Sequence, residues 1–205
     1  MKIGILGAGR IGGTLGKRWA AKGHAVFFGV RDAQSDKAQV LLKEIGPDAK
    51  VGSVAEAAAF GEVVLLAVPW ASAQEVVQQA GDLTGKVLID ATNRMVSASP
   101  GSASMAEDVA RWAAGAKVVK AFNSSGFANY ADSKYGVQNV DNYMCGDDPE
   151  AKAIVAELSR SIGLDPVDAG PLSNAALLES LAKLWVQLAY PLGKGPRIAF
   201  KLMRR

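Results

Sequence analysis

Between Leu6 and Leu15 the chain reads Gly7-Ala8-Gly9-Arg10-Ile11-Gly12, a G-x-G-x-x-G run. No other stretch narrows the fold so far. Ile3-Gly4-Ile5-Leu6 before it is too short for a helix and reads as a buried strand. Ile11 to Lys22 after it puts Ile11, Leu15 and Trp19 on one helical face. Strand, glycine turn and helix in that order begin a dinucleotide-binding βαβ unit, and this context sets the run apart from a plain glycine turn. In such a unit Gly7 permits the tight turn, Gly9 lets the backbone approach a pyrophosphate, and Gly12 lets the helix pack close on the strand. The N–H groups around Arg10 and Ile11 then face the phosphates.

Alternation continues downstream. Ala25–Phe28, Lys50–Gly52, Val63–Val68, Val87–Ile89 and Val118–Phe122 read as strands. Asp36–Ile45, Val54–Phe60, Ser72–Ala80 and Ser104–Ala114 read as helices. The strands are continuously apolar, as expected when helices cover both sheet faces. This predicts an α/β, Rossmann-type, doubly wound and mostly parallel sheet over residues 1–125. Asn123–Asn142 is polar and reads as one long loop. A strand at Tyr143–Cys145, a helix at Pro149–Ile162, a strand at Pro166–Val167 and a helix at Ser173–Ala189 follow, with Ser173 as N-cap. Residues 126–205 thus form a small C-terminal α/β extension.

Composition removes several functions. Lys+Arg number 23 against 20 Asp+Glu in 205 residues, and the only adjacent basic pair near the end is Arg204-Arg205, a solvated tail. Nucleic acid is therefore not an expected partner. No apolar run reaches membrane-spanning length, so no membrane partner is expected and the cytoplasm is the default location. With one His (His24) and one Cys (Cys145), a multi-cysteine metal site is excluded, and a hydrolytic triad would have only His24 to use. His24 reads as a turn residue and Cys145 as packing. The chemistry then belongs to a bound cofactor.

Which dinucleotide depends on the end of the second strand. An NAD site carries an acid there to hold the ribose 2′-OH. Here Gly29-Val30 occupy that place and Arg31 follows. A guanidinium pairs with a 2′-phosphate, and Lys37 adds charge, which favours NADP(H). The competing assignment makes Asp32 the ribose acid and Arg31 a surface charge.

These residues, together with Val68-Pro69-Trp70, Cys145-Gly146-Asp147-Asp148, Asp168-Ala-Gly-Pro-Leu-Ser-Asn174 and Glu179-Ser-Leu181, resemble the coenzyme F420-dependent NADP oxidoreductases along the whole chain. Lys86-Val-Leu-Ile-Asp90 and Val118-Val-Lys-Ala-Phe-Asn123 also resemble the cytosolic NADPH domain of six-transmembrane ferric reductases. The resemblance implies hydride exchange between NADP(H) and the deazaflavin F420, a small-molecule redox partner, and a homodimer. Three departures stand out. Val30 replaces a Ser common before the Arg in archaeal members. Ser72 replaces a His beyond the Pro-Trp pair. Phe122-Asn123-Ser124-Ser125 differs from the family's deazaflavin-side segment. FMN or FAD as hydride partner, a ferric-chelate reductase, and a non-enzymatic NADPH sensor are the alternatives.

Ligands of such sheets lie beyond the carboxyl ends of the strands. Ala67, Val68, Pro69 and Trp70 after the fourth strand are therefore candidates, with Val68 and Pro69 walling the nicotinamide. Trp70 reads equally as a lid or as core. Thr92, Asn93, Phe122, Asn123 and Ser124 lie at the next two strand ends and would supply hydrogen bonds, though Asn123-Ser124-Ser125 reads also as a plain polar loop. Hydride transfer needs close stacking and exclusion of water rather than an acid or base. No catalytic side chain and no metal ligand is assigned. The last helix carries Leu177, Leu178, Leu181, Leu184, Trp185 and Leu188, and serves as core or as a dimer face.

Overall fold

The structure is a computed structural model that describes residues 1–47, 49–94, 103–203 and 205. Arg204, half of the predicted basic tail end, lies outside the described residues.

The parallel part of the sheet contains β1 (Lys2–Leu6), β2 (Ala25–Gly29), β3 (Ala49–Gly52), β4 (Val63–Leu66), β5 (Val87–Asp90) and β6 (Lys117–Lys120). They lie in the order β3-β2-β1-β4-β5-β6. The connecting helices are α1 (Arg10–Ala20), α2 (Asp36–Ile45), α3 (Val54–Phe60), α4 (Ala73–Ala80) and α5 (Met105–Trp112). The order turns back between β1 and β4, and that switch opens a crevice at the strand ends. The fold is α/β and Rossmann-like, as expected.

Successive strand residues serve different layers. Ile3, Ile5, Val63, Leu65, Val87 and Ile89 pack with Leu15 and Trp19 of α1. Leu6, Val64, Leu66 and Leu88 pack with α3, α4 and α5 through Ala57, Val77 and Val109. The central strands therefore carry apolar residues on both faces, the pattern of a sheet covered twice.

The region predicted as one loop is a correction. Residues 123–142 contain α6 (Phe127–Ala131), a two-stranded hairpin of β7 (Lys134–Tyr135) and β8 (Gln138–Asn139), and the start of β9 (Asp141–Gly146). Hydrogen bonds within and beyond the segment hold it. Tyr135 Oη donates to Asn129 Oδ1 at 2.8 Å, and Asn129 Nδ2 donates to the Ile198 carbonyl at 2.7 Å. Strand β9 pairs antiparallel with β6, and β10 (Asp165–Asp168) pairs parallel with β9. The C-terminal strands thus extend the sheet itself. Helix α7 (Pro149–Ser161) lies between them. Its N-cap Asp148 accepts from Ala151 N–H, and that bond, helped by Lys117, holds the carboxyl below its usual range.

Helix α8 (Ala175–Ala189) starts later than expected. Leu172–Asn174 forms a 3₁₀ turn, the N-cap is Asn174, and no side chain caps the helix, so the assignment of Ser173 as cap is corrected. The predicted strand through Phe122 also ends early, at Lys120, before Phe122 takes φ 55°.

Lys120 is fully buried, with Asp90 Oδ2 at 2.9 Å and Glu179 Oε1 at 3.0 Å, and it also reaches the Thr92 carbonyl. Glu179 accepts from Met105 N–H at 2.8 Å as well. One cation thereby joins β5, β6, α5 and α8. Lys120→Met would leave two buried carboxylates without their counter-ion. We expect a loss of about 3–5 kcal/mol, measured by urea denaturation. A loss below about 1 kcal/mol, within the range of exposed pairs, would show that the network carries little of the fold.

Candidate functional site: a dinucleotide cleft

A cleft of about 510 Å³ opens where the strand order switches, lined by residues that follow β1, β2 and β4 and by one face of α4. Its floor starts with the glycine loop. Gly7 has φ +109°, a conformation that L side chains rarely adopt, and a Cβ there would stand 2.6 Å from the Ala67 carbonyl. A Cβ on Gly12 would stand 2.1 Å from the Gly7 carbonyl, so α1 can lie this close to the loop only without one. At Gly9 a Cβ would meet nothing within 4 Å. The missing side chain at Gly9 therefore opens space on the ligand side.

Gly9 is also the N-cap of α1, and no side chain bonds to the first turn, which carries no acidic residue. The orphan N–H groups of that turn and the positive end of the helix dipole remain available to an anion. These features fit a bound pyrophosphate.

The second wall is cationic. Val30, Arg31, Asp32, Ser35 and Lys37 line the cleft beyond β2. Among the described residues neither Arg31 nor Lys37 has an ion-pair partner. The Asp32 carboxylate is occupied locally. Its Oδ1 accepts from Gln34 N–H at 2.8 Å, while its carbonyl accepts from Ser35 Oγ at 2.8 Å. The turn into α2 thus uses the acid and leaves the two cations open.

The third wall consists of Ala67, Val68 and Pro69 after β4, followed by Ser72, Glu75, Val76 and Gln79. The last four stand at spacings of three, one and three, on one face of the helical segment that enters α4. Sequence reasoning missed Glu75, Val76 and Gln79, although this i, i+3, i+4, i+7 pattern directly after a strand end was the signal that marked them.

Several candidates lie elsewhere. Trp70 is 37% exposed in a 3₁₀ turn that follows Pro69, so it is not core. Arg10 is exposed, with its guanidinium 5.4 Å above the Phe127 ring. Ile11, half-buried, packs against the α1 side of the core. Beyond β5 and β6, Thr92 and Asp90 are bonded to one another, Thr92 Oγ1 donating to Asp90 Oδ1 at 2.6 Å. Phe122 turns its ring into the core, edge-to-face with Trp19 at 5.6 Å and Tyr130 at 6.0 Å, so only its backbone faces the strand ends. Its N–H donates to Asn142 Oδ1 at 2.9 Å.

Asn93 and Asn123 form a reciprocal pair. Asn93 Nδ2 donates to the Asn123 carbonyl and Asn123 Nδ2 to Asn93 Oδ1, both at 2.9 Å. Asn123 Nδ2 also reaches the Leu178 carbonyl at 3.2 Å. Asn123 Oδ1 is buried with no hydrogen-bond partner among the described residues. Ser124 beside it is buried. Cys145 is fully buried, and burial pushes its thiol up to about 12, so it holds no thiolate for chemistry.

Similar proteins agree with this reading of the cleft. Residues 2–94 match the sequence profile of the family described as NADP oxidoreductase, coenzyme F420-dependent. The F420-dependent NADP reductase of Methanocaldococcus jannaschii is 30% identical over 92% of this chain and 92% of its own length. The metalloreductase STEAP3 of Rattus norvegicus is 32% identical over 88% of this chain, which spans 36% of that protein. A protein of Arthrobacter sp. FB24, provisionally named an F420-dependent NADP-reductase, superposes with a TM-score of 0.88 at 31% identity over all of both chains. A reductive aminase of Aspergillus terreus, solved with NADPH, shares the fold at 20% identity, with a TM-score of 0.69 over 94% of this chain and 62% of its own. The chain belongs to the coenzyme F420-dependent NADP oxidoreductase family and is an NADP-dependent oxidoreductase.

Proposed function

We propose that the protein binds NADP(H) in the described cleft and exchanges a hydride with the deazaflavin coenzyme F420. The likeness to the Methanocaldococcus jannaschii reductase over 92% of both chains is the observation that carries this reading. The nicotinamide supplies or accepts the hydride when bound. The chain's own residues position and desolvate. The backbone of Gly7 to Gly9 and the first turn of α1 cradle the pyrophosphate, with Arg10, Ile11 and Gly12 completing that turn. Arg31 and Lys37 take the 2′-phosphate beside Val30. Ala67, Val68 and Pro69 wall the nicotinamide on one side, and Trp70 follows them. On the other side Thr92, Phe122 (through its backbone) and Ser124 frame the strand ends. The Asn93–Asn123 pair lies beyond the same strand ends, and Asn123 Oδ1, buried and without a hydrogen-bond partner among the described residues, is the acceptor it would offer. Residues 1–125 would carry the nucleotide and 126–205 the acceptor and subunit contacts.

A second reading has its own support. The likeness to STEAP3, over 88% of this chain, favours an NADPH-dependent reductase of a flavin or a ferric chelate.

Arg31→Ala should weaken NADPH binding at least about tenfold, the loss of one charge-assisted hydrogen bond, and leave NADH nearly unchanged. Equal losses for both nucleotides by fluorescence titration would return the ribose contact to Asp32. Mixing the enzyme with NADPH and F420, FMN, FAD or ferric citrate in parallel, while following NADPH oxidation, tests the acceptor. Selective turnover of F420 is the expected outcome, and turnover of FMN or FAD alone would move the protein to the second reading.

We also propose a homodimer through α8. Leu177 and Leu184 are 66% and 49% exposed on that helix, and they stand in register with half-buried Leu181 and Leu188. Sedimentation velocity should show a dimer that Leu184→Glu converts to monomer. A monomeric native protein at micromolar concentration would remove the proposal.

A further inference from the structure

The α4 wall of the cleft carries polar groups that phosphate binding does not use. Glu75 and Gln79 both line the cleft, one helical turn apart, and Gln79 Nε2 donates to Glu75 Oε1 at 3.0 Å. A carboxylate is an odd neighbour for a nucleotide carrying several phosphates, since its charge opposes them across an open cleft. It therefore calls for a ligand group that it would attract.

Geometry limits what that group is. This inference rests on the placement of NADP(H) proposed above. With pyrophosphate at Gly7–Gly9 and 2′-phosphate at Arg31 and Lys37, the adenosine ribose lies between them. The base leaves the same ribose at the carbon next to the one that bears the phosphate. It must enter the part of the cleft still unassigned, which is bounded by Arg31 on one side and by Glu75, Val76 and Gln79 on the other. Val76 offers an apolar surface and Arg31 a planar cation, two faces suited to a flat aromatic ring. The hydrogen-bonding edge of the base then meets the Glu75–Gln79 pair.

We infer that Glu75, held by Gln79, reads the exocyclic amine of the adenine and makes the cleft selective for adenine over a purine with a carbonyl at that position. A carboxylate has only acceptors, so it takes a hydrogen from the amine. The amide of Gln79 keeps one N–H and its carbonyl after bonding Glu75, and donor plus acceptor is what an adenine edge accepts. Replacing the amine by a carbonyl sets an oxygen of the base against the carboxylate and removes the amine donor that it takes.

The test uses the whole protein and four nucleotides: NADPH, its hypoxanthine analogue (deamino-NADPH), NADH and deamino-NADH. Dissociation constants come from fluorescence or calorimetric titration. Native protein should prefer NADPH over deamino-NADPH by about tenfold or more, the size of one hydrogen bond to a charged group. Glu75→Gln presents a donor as well as an acceptor, so the preference should fall below about threefold, and Glu75→Ala should also flatten it. The ratio of NADPH to NADH affinity should stay as in the native protein. Glu75 lies on an exposed helix position, and circular dichroism checks that both variants fold. An unchanged adenine preference in Glu75→Gln overturns the inference. So does equal tightening of all four nucleotides, which would make Glu75 only a repelling charge. If native protein bound none of the four, the NADP(H) placement itself would fail, a result distinct from binding without base preference.

Discussion

The Lys120 ammonium is withdrawn completely from water, and the groups that make this tolerable also decide where the strand ends lie. Moving one such charge inside costs several kcal/mol even after relaxation. Asp90, Glu179 and the Thr92 carbonyl offset that cost only when all three converge. Asp90 ends β5, Lys120 ends β6, and Glu179 belongs to the first turns of α8. Any drift of α8 would strand a carboxylate. The neighbouring bond from Asn123 Nδ2 to the Leu178 carbonyl inherits this precision. The geometry beyond β5 and β6 is therefore set by electrostatics, whereas that beyond β1 is set by sterics.

On the β1 side the device is the absence of atoms. The loop and helix approach until a single Cβ would collide, and the same loop leaves open space at Gly9. Charge is then distributed across the cleft. Helix dipole and bare N–H groups serve its middle, Arg31 and Lys37 one end, and the carboxylate and amide of α4 the opposite wall. A ligand must match three kinds of surface in fixed order, and that demands a molecule as long and as varied as a dinucleotide.

What the sequence disclosed follows the range of the forces involved. Strand β1, the glycine run and α1 were legible because turn, strand and helix are all encoded within twenty residues. The boundaries of α2 and α3 matched for the same reason, with Asp36 opening one and the Ser53–Glu56 capping box opening the other. Helix α6 and the β7–β8 hairpin were not legible. Their Asn, Ser and Tyr residues look like loop composition, yet they bond to partners such as Ile198 that lie far along the chain. Phe122 misled in a related way. Its position at a strand end suggested ligand contact, but a left-handed backbone turns its ring toward Trp19 and Tyr130. Glu75 and Gln79 escaped because polar residues on a short helix ordinarily face water, and only the neighbouring strands make that face a wall.

The extension also decides how the sheet ends. Strand β10 is the outermost on this side of the sheet, and its inward bonds bracket it, with Asp165 N–H to the Val140 carbonyl and Ala169 N–H to the Met144 carbonyl. In a strand, alternate residues point their N–H groups outward, so the outward set here falls on Pro166 and Asp168. Proline has no N–H to offer, and the carboxylates of Asp165 and Asp168 flank the gap, both drawn toward lysines of their own chain. A foreign strand arriving at this border finds a missing donor and ion-paired charged side chains where it needs a ladder. Four residues, Asp-Pro-Val-Asp, therefore blunt this border as a template for edge-to-edge polymerisation.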